Sequence, residues 1–123
     1  MAFEEKDILG FSIDRASALN GLWNLYIAVV TACLGLMASG KAFTTSLILK
    51  FVLTIVFSVF SYSNLDAIWR LGVLRAALLQ LLPSDFSSIK NSLAPATRLQ
   101  YGLFHVILDA SVILAIWLVP WPA

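Results

Sequence analysis

Polar residues thin out three times along the chain, and each thinning is about one membrane long. The first apolar stretch runs over 17–39, "SALNGLWNLYIAVVTACLGLMAS", and is closed by Gly40 and Lys41. The second covers 42–64, "AFTTSLILKFVLTIVFSVFSYSN". The third, "YGLFHVILDASVILAIWLV", covers 101–119 and stops at Pro120. Stretches of about 19 to 23 residues match a hydrocarbon layer of about 30 Å when helical. Helices satisfy their own backbone polar groups, which lipid cannot do. The pattern therefore predicts an all-α integral membrane protein with three transmembrane helices.

Between the second and third stretches the pattern changes. Residues 65–82, including "DAIWRLGVLRAALLQLL", are too short and too charged for a fourth crossing. Asp66 and Arg70 stand four apart and can pair across one helical turn. The segment reads as an amphipathic or cytoplasmic helical extension after the second span, with a helix lying on the membrane surface preferred. Pro83 ends it. The serine-rich 83–100 segment reads as a polar connection, with room for a short helix capped at Ser84.

Composition sharpens this picture. The 123 residues form one domain, 1–123, 60% hydrophobic and only 12% charged, with a net charge of +1. Soluble domains carry about 25% charged residues, and a chain this short leaves much of its surface exposed. A solvent of lipid resolves the mismatch. The near-neutral charge offers no basic surface to nucleic acid. No phosphate-binding glycine loop or metal-spaced Cys/His cluster occurs, so no cofactor or metal is expected. The lone Cys33, in an apolar run, reads as a packed and inert thiol. The acidic 1–16 segment, "MAFEEKDILGFSIDRA", lacks the basic start of a signal peptide and is expected to stay in the mature chain.

Orientation follows from the basic residues. Three crossings place 1–16 and 65–100 on one side, holding Lys6, Arg15, Arg70, Arg75, Lys90 and Arg98. The opposite side holds Lys41, with Lys50 set aside as intramembrane. Positive charge is retained in the cytoplasm. The expected location is a bacterial inner membrane, with the N-terminus cytoplasmic and the C-terminus on the exported side.

Each span has a polar face. On the first, Ser17, Asn20, Gly21, Asn24, Ala28, Thr31, Ala32, Gly35 and Ser39 share about a third of the circumference. Small residues admit close helix approach and asparagine bonds across helices, so this face is expected to pack inside the chain, or else to face water or a second copy. On the second, Ser46, Lys50, Thr54 and Ser58 follow at four-residue intervals, with Ser61 and Asn64 close by. On the third, Arg98, Tyr101, Gly102, His105 and Asp109 fall together.

A carboxylate in hydrocarbon costs about 2.5–3.5 kcal/mol even on lenient scales, so Asp109 needs a partner. Counting from the edges of the apolar stretches puts Asp109 and Lys50 each about 12 Å deep from opposite sides. The expectation is a Lys50–Asp109 ion pair across the membrane interior, with His105 one turn away.

These features suit an accessory or structural subunit, or a homo-oligomeric membrane component, whose partners are the bilayer and other membrane subunits or its own copies. The alternative is an oligomeric pore or proton conduit along the polar face, comparable in layout to small holins and membrane effectors. A respiratory-type anchor with His105 on a haem is a further option, and an enzyme acting alone has no catalytic constellation to support it.

Overall fold

The computed structural model describes residues 4–40 and 46–122. All regular structure among them is helical: α1 (Glu5–Ala38), α2 (Leu47–Gln80), α3 (Ser87–Leu93) and α4 (Arg98–Leu118). A 3-10 turn over Ser84–Phe86 leads into α3. Three of the helices, α1, α2 and α4, are long and apolar enough to cross a membrane.

The helix ends follow local chemistry. At the start of α1, the Glu4 N–H donates to Asp7 Oδ2 at 3.3 Å. At its other end Gly40 takes φ 71°, the left-handed conformation that closes helices and that glycine adopts without a Cβ clash. Ser46 Oγ accepts from Leu49 N at 3.5 Å to begin α2. The α4 start is a reciprocal cap: Gln100 N donates to Thr97 Oγ1 at 3.2 Å, and Thr97 N to Gln100 Oε1 at 2.9 Å. Lys41 and residues 42–45, the expected tight connection and the start of the second span, lie outside the described residues.

Two expectations are corrected here. Of the two readings of 65–82, the preferred separate surface helix is replaced by the other: residues 65–80 continue α2 without a break. Nothing in "SYSNLDAIWR" breaks a helix, and Ile68, Gly72, Arg75 and Leu79 carry the inward face of α2 onward. Likewise α1 begins at Glu5 rather than near Ser17, because Ile8 and Ser12 extend its buried side. Both helices have 34 residues, about 51 Å at about 1.5 Å per residue, well beyond a bilayer core. The short helix in 83–100 exists, but it starts after Phe86 and is not capped by Ser84.

The helices pack antiparallel in sequence order. Tyr26 meets Phe57 and Phe60, while Leu19 groups with Ile68 and Ile8 with Leu79. Positions on α1 fall as those on α2 rise. The same holds between α2 and α4, where Thr54 bonds Trp117 and Asn64 bonds His105. Inward positions on α2 (Phe57, Ser61, Asn64, Ile68, Gly72, Arg75, Leu79) advance by three or four residues and keep one face of the helix turned to the interior.

The core is layered. Tyr26, Met37, Phe57, Val112 and Ile116 form the largest cluster. Leu19, Ile68 and Tyr101 form the next, and Ile8, Leu79 and Leu82, covered by Phe86 and Leu93, close the far end. Gly72 is the point of nearest approach to the connection, since a Cβ there would lie 3.7 Å from Pro95 and from Tyr101.

The small-residue face of α1 does not pack inside this chain, contrary to expectation. Asn20, Gly21, Asn24, Ala28, Thr31, Ala32, Gly35 and Ser39 are all exposed, and a Cβ at Gly21 or Gly35 would meet nothing within 4 Å. The opposite side of α1, carrying Leu19, Trp23, Tyr26, Val30, Cys33 and Met37, does the packing. Large side chains fill the space between three helices, and α2 and α4 supply the polar interior.

Candidate functional site

At the middle of the bundle five polar side chains from three helices meet. Asp109 lies eleven residues from the start of α4 and nine from its end, roughly 16 and 14 Å along the axis. Tyr26 Oη donates to Asp109 Oδ1 at 2.5 Å. The Ser61 hydroxyl donates to Asp109 Oδ2. His105 Nδ1 lies 2.9 Å from the same Oδ2 and 3.2 Å from Ser61 Oγ. On its other side, His105 Nε2 faces Asn64 Oδ1 at 3.2 Å, and Asn64 Nδ2 donates to the Leu22 carbonyl at 3.1 Å.

The hydrogens follow from this network. A carbonyl oxygen only accepts, so the nitrogen of Asn64 must face Leu22 and its oxygen must face His105. Nε2 therefore carries a hydrogen. Between Nδ1 and Oδ2 there must also be one, since two lone pairs at 2.9 Å would repel. On Nδ1 it makes an imidazolium–carboxylate pair; on Oδ2 it makes a neutral imidazole and a carboxylic acid. Both arrangements are neutral in sum, which is what a low-dielectric interior demands of a buried acid.

Aromatic rings wall the cluster. The Tyr26 ring lies 4.4 Å and the Trp23 ring 5.7 Å, centroid to centroid, from the imidazole. His105 is fully buried, while about a fifth of the Asp109 side chain (21%) stays accessible. Ser, His and Asp are the residue types of a hydrolytic triad, but their order is wrong. In a triad serine and carboxylate use opposite nitrogens of the imidazole. Here both sit on Nδ1, the serine hydrogen goes to the carboxylate, and Nε2 is taken by an amide. For the same reason neither nitrogen is free for a haem iron without displacing Asn64 or Asp109.

No family model, curated protein or solved structure matches this chain. What the cluster means must come from its own geometry.

The predicted Lys50–Asp109 pair is not formed. Asp109 is held by Tyr26, Ser61 and His105, and Lys50 Nζ lies 6.0 Å from the centroid of the Trp117 ring. Thr54 Oγ1 accepts from Trp117 Nε1 at 3.0 Å and donates to the Lys50 carbonyl at 2.8 Å. The cause is register. Ser61 is level with Asp109, so Lys50, eleven residues earlier, lies roughly 16 Å away along α2. A depth counted from Ala42 places Lys50 too far in, because α2 is capped at Ser46 and Lys50 sits in its first turn. A lysine so placed reaches outward past a tryptophan rather than inward.

The remaining candidates divide by face. Thr54 is half-buried and Ser58 is exposed, so the four-residue line over-rotates away from the interior after Thr54. Ser61 and Asn64, only close to that line, are the buried ones. Asn20, Asn24, Thr31, Gly35 and Ser39 stay outside, with Ser39 Oγ turned back to the Leu36 carbonyl at 2.7 Å. Asp66 and Arg70 pair at 2.9 Å on the exposed side of α2. The residue that the polar faces leave out altogether is Tyr26. Its signal was the seven-residue spacing Ser12, Leu19, Tyr26, Cys33, a seam that places the phenol inside.

Proposed function

We propose that this chain is a small polytopic membrane component that works as an accessory subunit or a homo-oligomer. One observation carries this reading: the Asn20–Asn24–Thr31–Gly35 stripe faces outward along a helix long enough to cross a membrane. Neither asparagine amide has a hydrogen-bond partner among the described residues, and amides turned toward lipid favour a neighbouring helix that bonds them. The bundle itself is held by larger groups on the other side of α1, so the stripe is available to a second membrane helix. The basic residues at 6, 15, 70, 75, 90 and 98 support a cytoplasmic N-terminus in a bacterial inner membrane.

The test is size in mild detergent. The wild type is expected to run as a complex larger than the 13.5 kDa chain, and Asn24→Leu combined with Gly35→Leu to release monomer. A wild type that is monomeric at every detergent and protein concentration, with no companion, defeats the proposal.

A pore built from several copies is the second reading, favoured by the same outward row of polar groups. It would be lined by α1 rather than by the His105–Asp109 interior. Collapse of membrane potential on expression, lost in Asn24→Leu and kept in Asp109→Asn, separates it from a purely structural role.

A further inference from the structure

On the side of the bundle away from α1, α2 and α4 leave a groove of about 630 Å³. Two parallel rows form its walls. Tyr62, Asp66 and Trp69 follow at four- and three-residue steps on α2, and Leu99, Leu103 and Val106 do so on α4. Each row spans eight residues, about 10 Å along the helix axes. On the groove's inner side Tyr101 packs over Gly72 and receives the Ala96 N–H on its hydroxyl at 3.3 Å. The groove is therefore built into the packing rather than left by a loop. Its volume falls in the range of about 300–1,000 Å³ typical of ligand sites.

Its chemistry is graded. Leu103 and Val106 line it toward the middle of the helices, across from Tyr62, while Trp69, Asp66 and Arg98 lie toward the helix ends. Arg70 neutralises Asp66 at 2.9 Å. The Arg98 guanidinium is stacked 4.8 Å from the Trp69 ring centroid and has no carboxylate partner among the described residues. The result is one positive charge without a carboxylate partner, stacked on Trp69 beside an apolar groove.

We propose that this groove binds an anionic phospholipid of the surrounding bilayer, with its phosphate on Arg98 and one acyl chain between the two rows. A guanidinium matches phosphate oxygens with paired N–H donors. A chain lying along the walls covers Leu99, Leu103 and Tyr62, which are otherwise 54–76% exposed. This rests on membrane insertion, part of the function proposed above, and not on the oligomeric state.

The test uses the full chain in detergent micelles, with phosphatidylglycerol or phosphatidylcholine of identical acyl chains. Brominated chains report occupancy by quenching Trp69, read as wild type minus Trp69→Phe. Phosphatidylglycerol is expected to bind about fivefold more tightly, the increment of one basic side chain at an anionic surface. Arg98→Gln should erase the preference, Arg98→Lys should retain most of it, and Leu103→Trp should block both lipids. Equal affinity of the wild type for the two lipids overturns the proposal even if every variant misfolds. So does a preference unchanged in Arg98→Gln, or a cross-linked dimer through Leu103→Cys. Carbonate extraction of membranes reads insertion separately: a chain that washes off fails the membrane reading itself, whatever its lipid preference.

Discussion

A single carboxylate organises the interior of this protein, and its worth depends on what is left when a partner goes. Tyr26→Phe removes one hydroxyl and is expected to cost about 0.6–1.7 kcal/mol, the span measured for hydrogen bonds between membrane helices. Asp109→Leu strands Tyr26, Ser61 and His105 together and should cost about 3–5 kcal/mol, as breaking a buried pair does. Adding His105→Leu to Asp109→Leu removes one of the stranded groups, so the double variant should lose less than the sum of the two singles, by about 0.5–3 kcal/mol. Unfolding by a denaturing detergent measures all four; strict additivity would show that His105 and Asp109 do not act as a unit. His105 and Asp109 were legible as candidates because two ionisable groups one turn apart in an apolar run demand an explanation. The true partner of the aspartate was not legible, because choosing among Lys50, Ser61 and Tyr26 requires the register between helices. Periodicity fixes a face of a helix but never its height against a neighbour.

At the level of elements, apolar length revealed the three helices long enough to cross a membrane, while the helix ends escaped it. The outer parts of α1 and α2 carry charged residues, and what joins them is their contact with each other and with α3 over Ile8, Leu79, Leu82 and Leu93. Arg75 shows the cost of that contact: it is buried beside this cluster, and its Nε has no hydrogen-bond partner among the described residues. Gly72 offers a graded probe of the α2–α4 contact. An alanine Cβ at an ordinary 3.7 Å from Pro95 and Tyr101 fits, so Gly72→Ala should gain about 0.5–1 kcal/mol from helix propensity. Gly72→Leu should lose about 1–3 kcal/mol by overpacking. Thermal unfolding in detergent checks both signs, and a stabilising leucine would mean the two helices do not meet there.

For the molecule as a whole, the distribution of basic residues predicts which ends face which compartment. In a Cys33→Ser background, Ser39→Cys and Pro122→Cys should react with an impermeant maleimide in intact cells, and Ser88→Cys only after permeabilisation. The opposite pattern reverses the orientation. The central cluster also imposes an order of events during synthesis. Once α1 and α2 have paired, Asn64 is already anchored on the Leu22 carbonyl, and Tyr26 and Ser61 stand beside it as an open receptacle. In the membrane reading proposed above, α4 enters last, carrying an acid and an imidazole at its centre. Alone in hydrocarbon it is the least comfortable of the three, yet docked on the first two it becomes the best satisfied. On that reading, its retention in a bilayer should depend on a correctly assembled α1–α2 pair, so that a fault in the first half of the chain is reported by the failure of the last.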